Sequence, residues 1–181
     1  TNPGFLYQQN SLRDALVAGI NLNIFNQHCE RVRMANIAQL VNVLQSVILT
    51  EGEKMILTPT YHVFCMYRDH QDAQKLDTWM QDAPEVQEMA SVTASASIKD
   101  GKALITLCNI DLDNPVPLEI CLRGGAFTKA AAQTLTAEAM DEHNTFEEPE
   151  RIQPQSLSAD LTGDTVRLTL PPKSVTALHL A

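Results

Sequence analysis

The sequence predicts an α/β segment over residues 1–75 joined to an all-β sandwich of jelly-roll type over residues 76–181. Three observations carry this. Apolar residues recur at helical spacing twice in the first part. After Trp79 the period drops to two, and from Asp100 onward Gly and Pro cut the chain into many short runs, the pattern of packed antiparallel sheets.

Taken in order, Asn10 or Ser11 is a plausible N-cap, and Leu12, Ala15, Leu16, Val17, Ile20, Ile24 and Phe25 recur at helical spacing to about His28. Arg31–Ala38 reads as a short strand running from a charged start into an apolar interior. Val47–Thr50 and Lys54–Leu57 flank Glu51-Gly52-Glu53 and predict a hairpin, Gly52 supplying the turn. Thr58 then caps a helix with Pro59 at its first position, carrying Tyr61, Val63, Phe64 and Tyr67 to about His70. In the second part, Val92, Ala94, Ala96 and Ile98 alternate with Ser and Thr, turn at Asp100-Gly101, and return from Ala103 to Ile110. Further strands are expected at Leu118–Leu122, Ala131–Ala139, near Leu157, at Thr165–Leu170 and at the closing run to Leu180.

A helix, a strand and a second helix cannot close a core, and a lone parallel-type strand has no partner. Either residues 1–70 pack on the sandwich, or they are the broken end of a larger α/β domain. The second is preferred, because helices with free apolar faces would leave a large area in water at about 25 cal/mol per Å².

Composition narrows the function classes. Lys and Arg number 13 against 22 Asp and Glu, a net charge of −9, so nucleic acid is not an expected partner: bulk attraction to a phosphate backbone is excluded. The longest apolar stretch is interrupted by Asn21, Asn23, Asn26 and Gln27, so no membrane partner is expected. Cys29, Cys65, Cys108 and Cys121 are scattered, without a CxxC pair or a histidine at ligand spacing. They are expected as buried thiols of a reducing compartment, which favours the cytoplasm, with no metal and no cofactor. The opening Thr1-Asn2-Pro3-Gly4 has neither Met nor the charged-then-apolar pattern of a signal peptide, so this end does not settle localisation.

Several stretches together resemble one family. Gln8-Gln9-Asn10-Ser11-Leu12-Arg13-Asp14-Ala15-Leu16, Arg31-Val32-Arg33-Met34-Ala35-Asn36-Ile37-Ala38-Gln39-Leu40-Val41-Asn42 and Leu57-Thr58-Pro59-Thr60-Tyr61-His62-Val63-Phe64 look like the α-L-arabinofuranosidases of glycoside hydrolase family fifty-one. So do Asn144-Thr145-Phe146-Glu147-Glu148-Pro149-Glu150 and Leu170-Pro171-Pro172-Lys173-Ser174-Val175 near the end. The resemblance implies a (β/α)8 barrel followed by a jelly-roll sandwich, this chain holding the C-terminal fragment of the barrel (seventh helix, eighth strand, eighth helix) and then the sandwich. It implies removal of terminal α-L-arabinofuranosyl groups from arabinan, arabinoxylan and related oligosaccharides with retention. Retention needs a nucleophilic and an acid/base carboxylate about 5 to 5.5 Å apart at the open end of the barrel. In the family these glutamates lie on the fourth and seventh strands, ahead of Thr1, so no catalytic residue is expected in this chain and the chain alone is expected to be inactive. The implied partners are an arabinose-containing oligo- or polysaccharide, the missing N-terminal part of the barrel and, as a homo-oligomer, further copies, in hexamers.

Gln39 is the one candidate substrate-binding residue. It falls just past the carboxyl end of the expected strand, where barrel enzymes place substrate contacts. The resemblance implies that its amide bonds the arabinose next to the cleaved bond, donating and accepting at once to neighbouring hydroxyls. The rival role is a capping amide. Asn36 and Asn42 are expected to support the strand end, and His62 to be a core or interface residue. Trp79 is expected as a plug between domains rather than a sugar platform, and Glu51, Glu53, Glu147, Glu148 and Glu150 as solvated surface. A reading from another class remains: a non-catalytic carbohydrate-binding or assembly sandwich. With one Trp, three Tyr and five Phe, the chain has few aromatics for sugar capture, so a scaffold role is the preferred one for the sandwich.

Overall fold

The computed structural model describes residues 9–37 and 40–181. Helix α1 spans Leu12–Gln27 and helix α2 spans Pro59–Tyr67, continued by a 3-10 turn at Arg68–His70. Between them β1 (Ile48–Glu51) and β2 (Lys54–Leu57) form the expected hairpin, with Gly52 at φ +59° in the turn. The remaining strands are β3 (Gln74–Leu76), β4 (Glu85–Val86), β5 (Met89–Ala90), β6 (Val92–Lys99), β7 (Lys102–Asn109), β8 (Val116–Cys121), β9 (Ala130–Leu135), β10 (Gln155–Leu157), β11 (Ala159–Thr162), β12 (Thr165–Leu170) and β13 (Ser174–Leu180). A six-stranded antiparallel sheet in the order β10-β9-β13-β7-β6-β3 faces a three-stranded sheet in the order β11-β12-β8.

Alternation along the strands fills two cores. Val92 and Ala96 on β6, Ala103, Ile105 and Leu107 on β7, and Leu178 and Leu180 on β13 point to the small sheet, where they meet Val116, Val166, Leu168 and Leu170. The opposite face presents Leu104 and Cys108, Val175 and Ala177, and Leu135 to the helices, against Leu12, Ala15, Leu16, Val63, Met66 and Tyr67. The large sheet is therefore covered on both sides, and the fold has three layers: helices, sheet, sheet.

This bears on the expectation for the first part. Both helices pack on the sandwich and bury one face there, which is the first of the two alternatives and is compatible with the second, the end of a larger α/β domain. The outward faces are another matter: Val17 and Ile24 on α1 are 53% and 44% exposed, and Met55 on β2 is 61% exposed. The expected strand at Arg31–Ala38 is not formed over Val32–Ile37. A strand needs a hydrogen-bonded neighbour, and among the described residues none lies alongside.

Helix α1 is weak by propensity, with Gly19, Asn21 and Asn23 in its interior. Tertiary contacts hold it instead. Its first free amides, on Leu12 and Arg13, donate to the carbonyls of Glu142 at 2.9 Å and Met140 at 3.0 Å. Asp14 accepts from the Ser11 amide at 2.8 Å and the Ser11 hydroxyl at 3.0 Å. Gly19 lets the helix approach the sheet: a Cβ there would stand 2.8 Å from the Cys108 sulfur. Polar contacts complete the seat. Asn23, 1% exposed, accepts from the hydroxyls of Thr106 at 2.8 Å and Ser95 at 3.0 Å and donates to Thr93. The alternating Ser and Thr of β6 thus face a helix, not water.

The asparagine-led loop serves the same layer. Asn144 is buried and brackets Ile152, donating to its carbonyl at 3.0 Å and accepting from its amide at 2.7 Å, and also donates to the Leu57 carbonyl at 2.9 Å. This joins the end of β2 to the stretch before β10.

Candidate functional site

Gln39, the predicted substrate-binding residue, lies with Ala38 outside the described residues. The chain immediately after it is held in detail. The Leu40 carbonyl accepts from the amides of both Val47 and Ile48, each at 3.2 Å, and Val41 makes a parallel bridge with Ile48. Asn42 then adopts a left-handed conformation, φ +56°. Its Oδ1 accepts from the Thr50 amide at 2.8 Å, and its Nδ2 donates to Thr50 Oγ1 at 2.8 Å and to the Thr50 carbonyl at 3.2 Å. One amide side chain so takes the place of a strand neighbour for β1, whereas the support expected of Asn42 was at the end of the Arg31–Ala38 strand. Asn36, by contrast, is exposed.

Gln45 is the second left-handed residue, φ +58°, and its Nε2 donates to Asp14 Oδ1 at 2.9 Å. Burial alone would raise the carboxyl pKa of Asp14. The bonds from Gln45 and Ser11, with Arg13 nearby, outweigh burial and hold it below the usual carboxylate range. Ser46 and Val47 follow, and the Thr58 hydroxyl donates to the Ser46 carbonyl at 3.0 Å. Thr58 thus spends its side chain on this loop while Pro59 opens α2. Sequence reading passed over the Asp14–Gln45 contact, which joins residues 31 apart. Half of it was visible: Ser11-x-x-Asp14 is a capping signature that marks Asp14 as a fixed group.

The other candidates fall elsewhere. His62 is half-buried beside Tyr61, and burial lowers its pKa. His70 sits under the sheet, Nδ1 at 2.8 Å from Ser97 Oγ and Nε2 at 3.0 Å from Thr106 Oγ1, and burial pushes its pKa down to about 4. Glu51, Glu53, Glu147, Glu148 and Glu150 are exposed, and Arg151 pairs with Glu148 and Glu142, each at 2.8 Å. Among the described residues no three His, Cys, Asp or Glu side chains gather to hold a metal. Of the four thiols expected to be buried, only Cys108 is; Cys65 and Cys121 are exposed, lying on the outward faces of α2 and β8. Trp79 is 72% exposed on Asp77–Met80, a stretch without a strand partner among the described residues, and the Arg123 guanidinium lies over its ring, 4.7 Å from the centroid.

Comparison with known proteins decides the affiliation. The model of the α-L-arabinofuranosidase C-terminal domain matches residues 1–174. The chain belongs to this family. Within it, the chain is 42% identical to an intracellular exo-α-L-arabinofuranosidase of Bacteroides ovatus, over 99% of the chain and 36% of that protein. The GH51 arabinofuranosidase structure from Xanthomonas axonopodis pv. citri superposes with TM-score 0.90 at 46% identity, covering all of the chain and 38% of that enzyme. A family 51 α-L-arabinofuranosidase from Bifidobacterium longum superposes with TM-score 0.88 at 26% identity, over 98% of the chain and 35% of that enzyme. The chain spans little more than a third of the length of these relatives. The arabinofuranosidase C-terminal fold is thus the C-terminal part of a barrel-plus-sandwich architecture.

Proposed function

We propose that this chain is the C-terminal portion of a retaining exo-α-L-arabinofuranosidase. The complete enzyme removes terminal α-L-arabinofuranosyl groups from arabinan, arabinoxylan and related oligosaccharides. The observation that carries this reading is the 42% identity to the Bacteroides ovatus enzyme along 99% of the chain. In this reading residues 1–75 contribute the closing units of the catalytic barrel and residues 76–181 form the supporting sandwich. The outward Val17, Ile24, Met34, Val41 and Met55 lie against the rest of the barrel, which supplies both catalytic glutamates. Exposure of 77% at Met34 and 41% at Val41 supports this placement. Gln39 orients the furanose beside the cleaved bond, its amide both donating and accepting. The enzyme acts in the cytoplasm as a homo-oligomer.

The test is hydrolysis of an aryl α-L-arabinofuranoside by this chain and by its complete reading frame. Turnover is expected only in the complete protein, with Gln39→Ala lowering kcat/KM by about 10²-fold, the cost of removing a substrate-positioning group. Turnover in neither protein overturns the reading. The exposed ring of Trp79, beside a shallow groove of about 200 Å³, would then favour a sugar-binding module. That module would be recognised by retardation of the chain in an arabinoxylan gel that Trp79→Ala abolishes.

A further inference from the structure

We infer that His70 is an acid-sensitive latch between the helices and the large sheet: protonation of its ring releases α1 and α2 while the two-sheet sandwich stays folded. The inference stands apart from the arabinofuranosidase reading, since it uses only residues of this chain. His70 lies in the 3-10 turn after α2, where the chain leaves the helical layer for the sandwich. Its half-buried ring spans two strands, Nδ1 on the Ser97 hydroxyl of β6 and Nε2 on the Thr106 hydroxyl of β7, and both of those residues are buried. The direction of each bond follows outward from α1. Asn23 Nδ2 donates to the Thr93 carbonyl, which only accepts, so Oδ1 is the atom turned toward Ser95 and Thr106. Thr106 gives its hydroxyl proton to that Oδ1 at 2.8 Å and therefore receives from His70 Nε2–H. Nδ1 is then the bare nitrogen and accepts from Ser97.

One line of bonds, Ser97 to His70 to Thr106 to Asn23, thus ties β6, the 3-10 turn, β7 and α1, and it is complete only with a neutral ring. A proton on Nδ1 turns away the Ser97 hydroxyl, which has no other partner among the described residues, and sets a charge against buried groups. The surroundings oppose that charge. Asp69 on the same turn favours it, but its carboxylate is shared with Arg68 at 3.4 Å and His179 of β13 at 3.9 Å. Lys99 of β6 reaches the same turn, its Nζ donating to the Gln71 carbonyl, and Tyr67 of α2 stands edge-on at 5.7 Å with its hydroxyl held neutral by burial. Burial outweighs Asp69, His179 adds to it, and the ring pKa is pushed down to about 4. Opening can be confined to the helices because the two cores are separate. Cys108, Val175 and Leu135 pack against α1 and α2, whereas the core between the sheets contains no helix residue and persists when the helices lift.

Thiol labelling of the chain reads the latch. Cys108 on β7 is fully enclosed beneath α1, and the exposed Cys121 on β8 serves as reference in the same tube. A dipyridyl disulfide is used as reagent, the labelled sites are resolved by mass spectrometry, and amide exchange of β8 and β12 is followed in parallel. An open state that takes up one proton at the ordinary histidine pKa should raise labelling of Cys108 relative to Cys121 by about 25-fold between pH 7.5 and pH 5. Most of that rise should vanish in His70→Gln, and the amides of β8 and β12 should stay protected throughout. An unchanged rise in His70→Gln would overturn the inference, as would loss of protection in β8 and β12 together with Cys108 labelling, which is unfolding of the whole chain. Should His70→Gln fail to fold, the nitrogen-15 spectrum of the unsubstituted chain decides: a neutral Nε2–H ring at pH 5 supports the latch, and a ring already protonated there overturns it.

Discussion

Replacing Asn23 by alanine tests the polar seat of α1 most directly. The side chain is 1% exposed and its Oδ1 receives two hydroxyls, Thr106 at 2.8 Å and Ser95 at 3.0 Å, while Nδ2 donates to Thr93 Oγ1 at 3.2 Å. Truncation strands these partners in a space closed to water. The loss is partly repaired, because Ser95 Oγ and Thr106 Oγ1 lie 2.9 Å apart and one can donate to the other. The Thr106 hydroxyl can in turn donate to Nε2 of neutral His70 at 3.0 Å, in that ring's other tautomer, so what is lost is the two bonds to Oδ1 and the bond to Thr93, at about 1 kcal/mol each. A loss of about 3 kcal/mol follows, which for a chain of this size lowers Tm by about 6–12 °C. Urea unfolding of the chain followed by circular dichroism reads it. The pair Asn23→Ala with Thr106→Val removes donor and acceptor together and should cost less than the sum of the two single changes. A loss below about 1 kcal/mol for Asn23→Ala, or full additivity, would refute the view that the seat is a coupled network.

Three further outcomes are expected. His70 is neutral in the folded chain with a pKa near 4, against an ordinary value of 6.5, through burial and the charge of His179, opposed by Asp69. Its contribution is therefore present above pH 6.5 and lost as pH falls toward 4, on the order of 3 kcal/mol, and His70→Gln should flatten the urea midpoint across that window. Gly19→Ala should destabilise by about 1–3 kcal/mol despite its better helix propensity, because the added methyl meets Cys108 Sγ at 2.8 Å and Val175 Cγ2 at 3.2 Å; a raised Tm would contradict the close approach. A thiol reagent at pH 8 should modify Cys65 and Cys121 in the native chain and spare Cys108, which is fully enclosed and whose thiol burial pushes up to about 11; early labelling of Cys108 would show that the helix layer opens readily.

What the sequence determined by itself is local. Spacing and punctuation located the α1, β1–β2 and α2 segments and the β6–β7 hairpin, because caps, a proline at the first helical position and an Asp-Gly turn act over a few residues. The quoted motifs carried the family, since they preserve order along the whole chain. Tertiary structure alone decided what each face meets. The alternation of β6 marked two different faces, and only the structure shows that Thr93 and Ser95 lie under α1 and Ser97 against His70, because period two states that two faces differ and not what covers either. The stretch Val32–Ile37 had the composition of a strand and is none, since a strand exists only with a neighbour to bond. The same holds for the site: Gln39 stood out by its motif, whereas the contacts of Asn42 and Gln45 depend on Thr50 and Asp14, which only folding brings within hydrogen-bond distance.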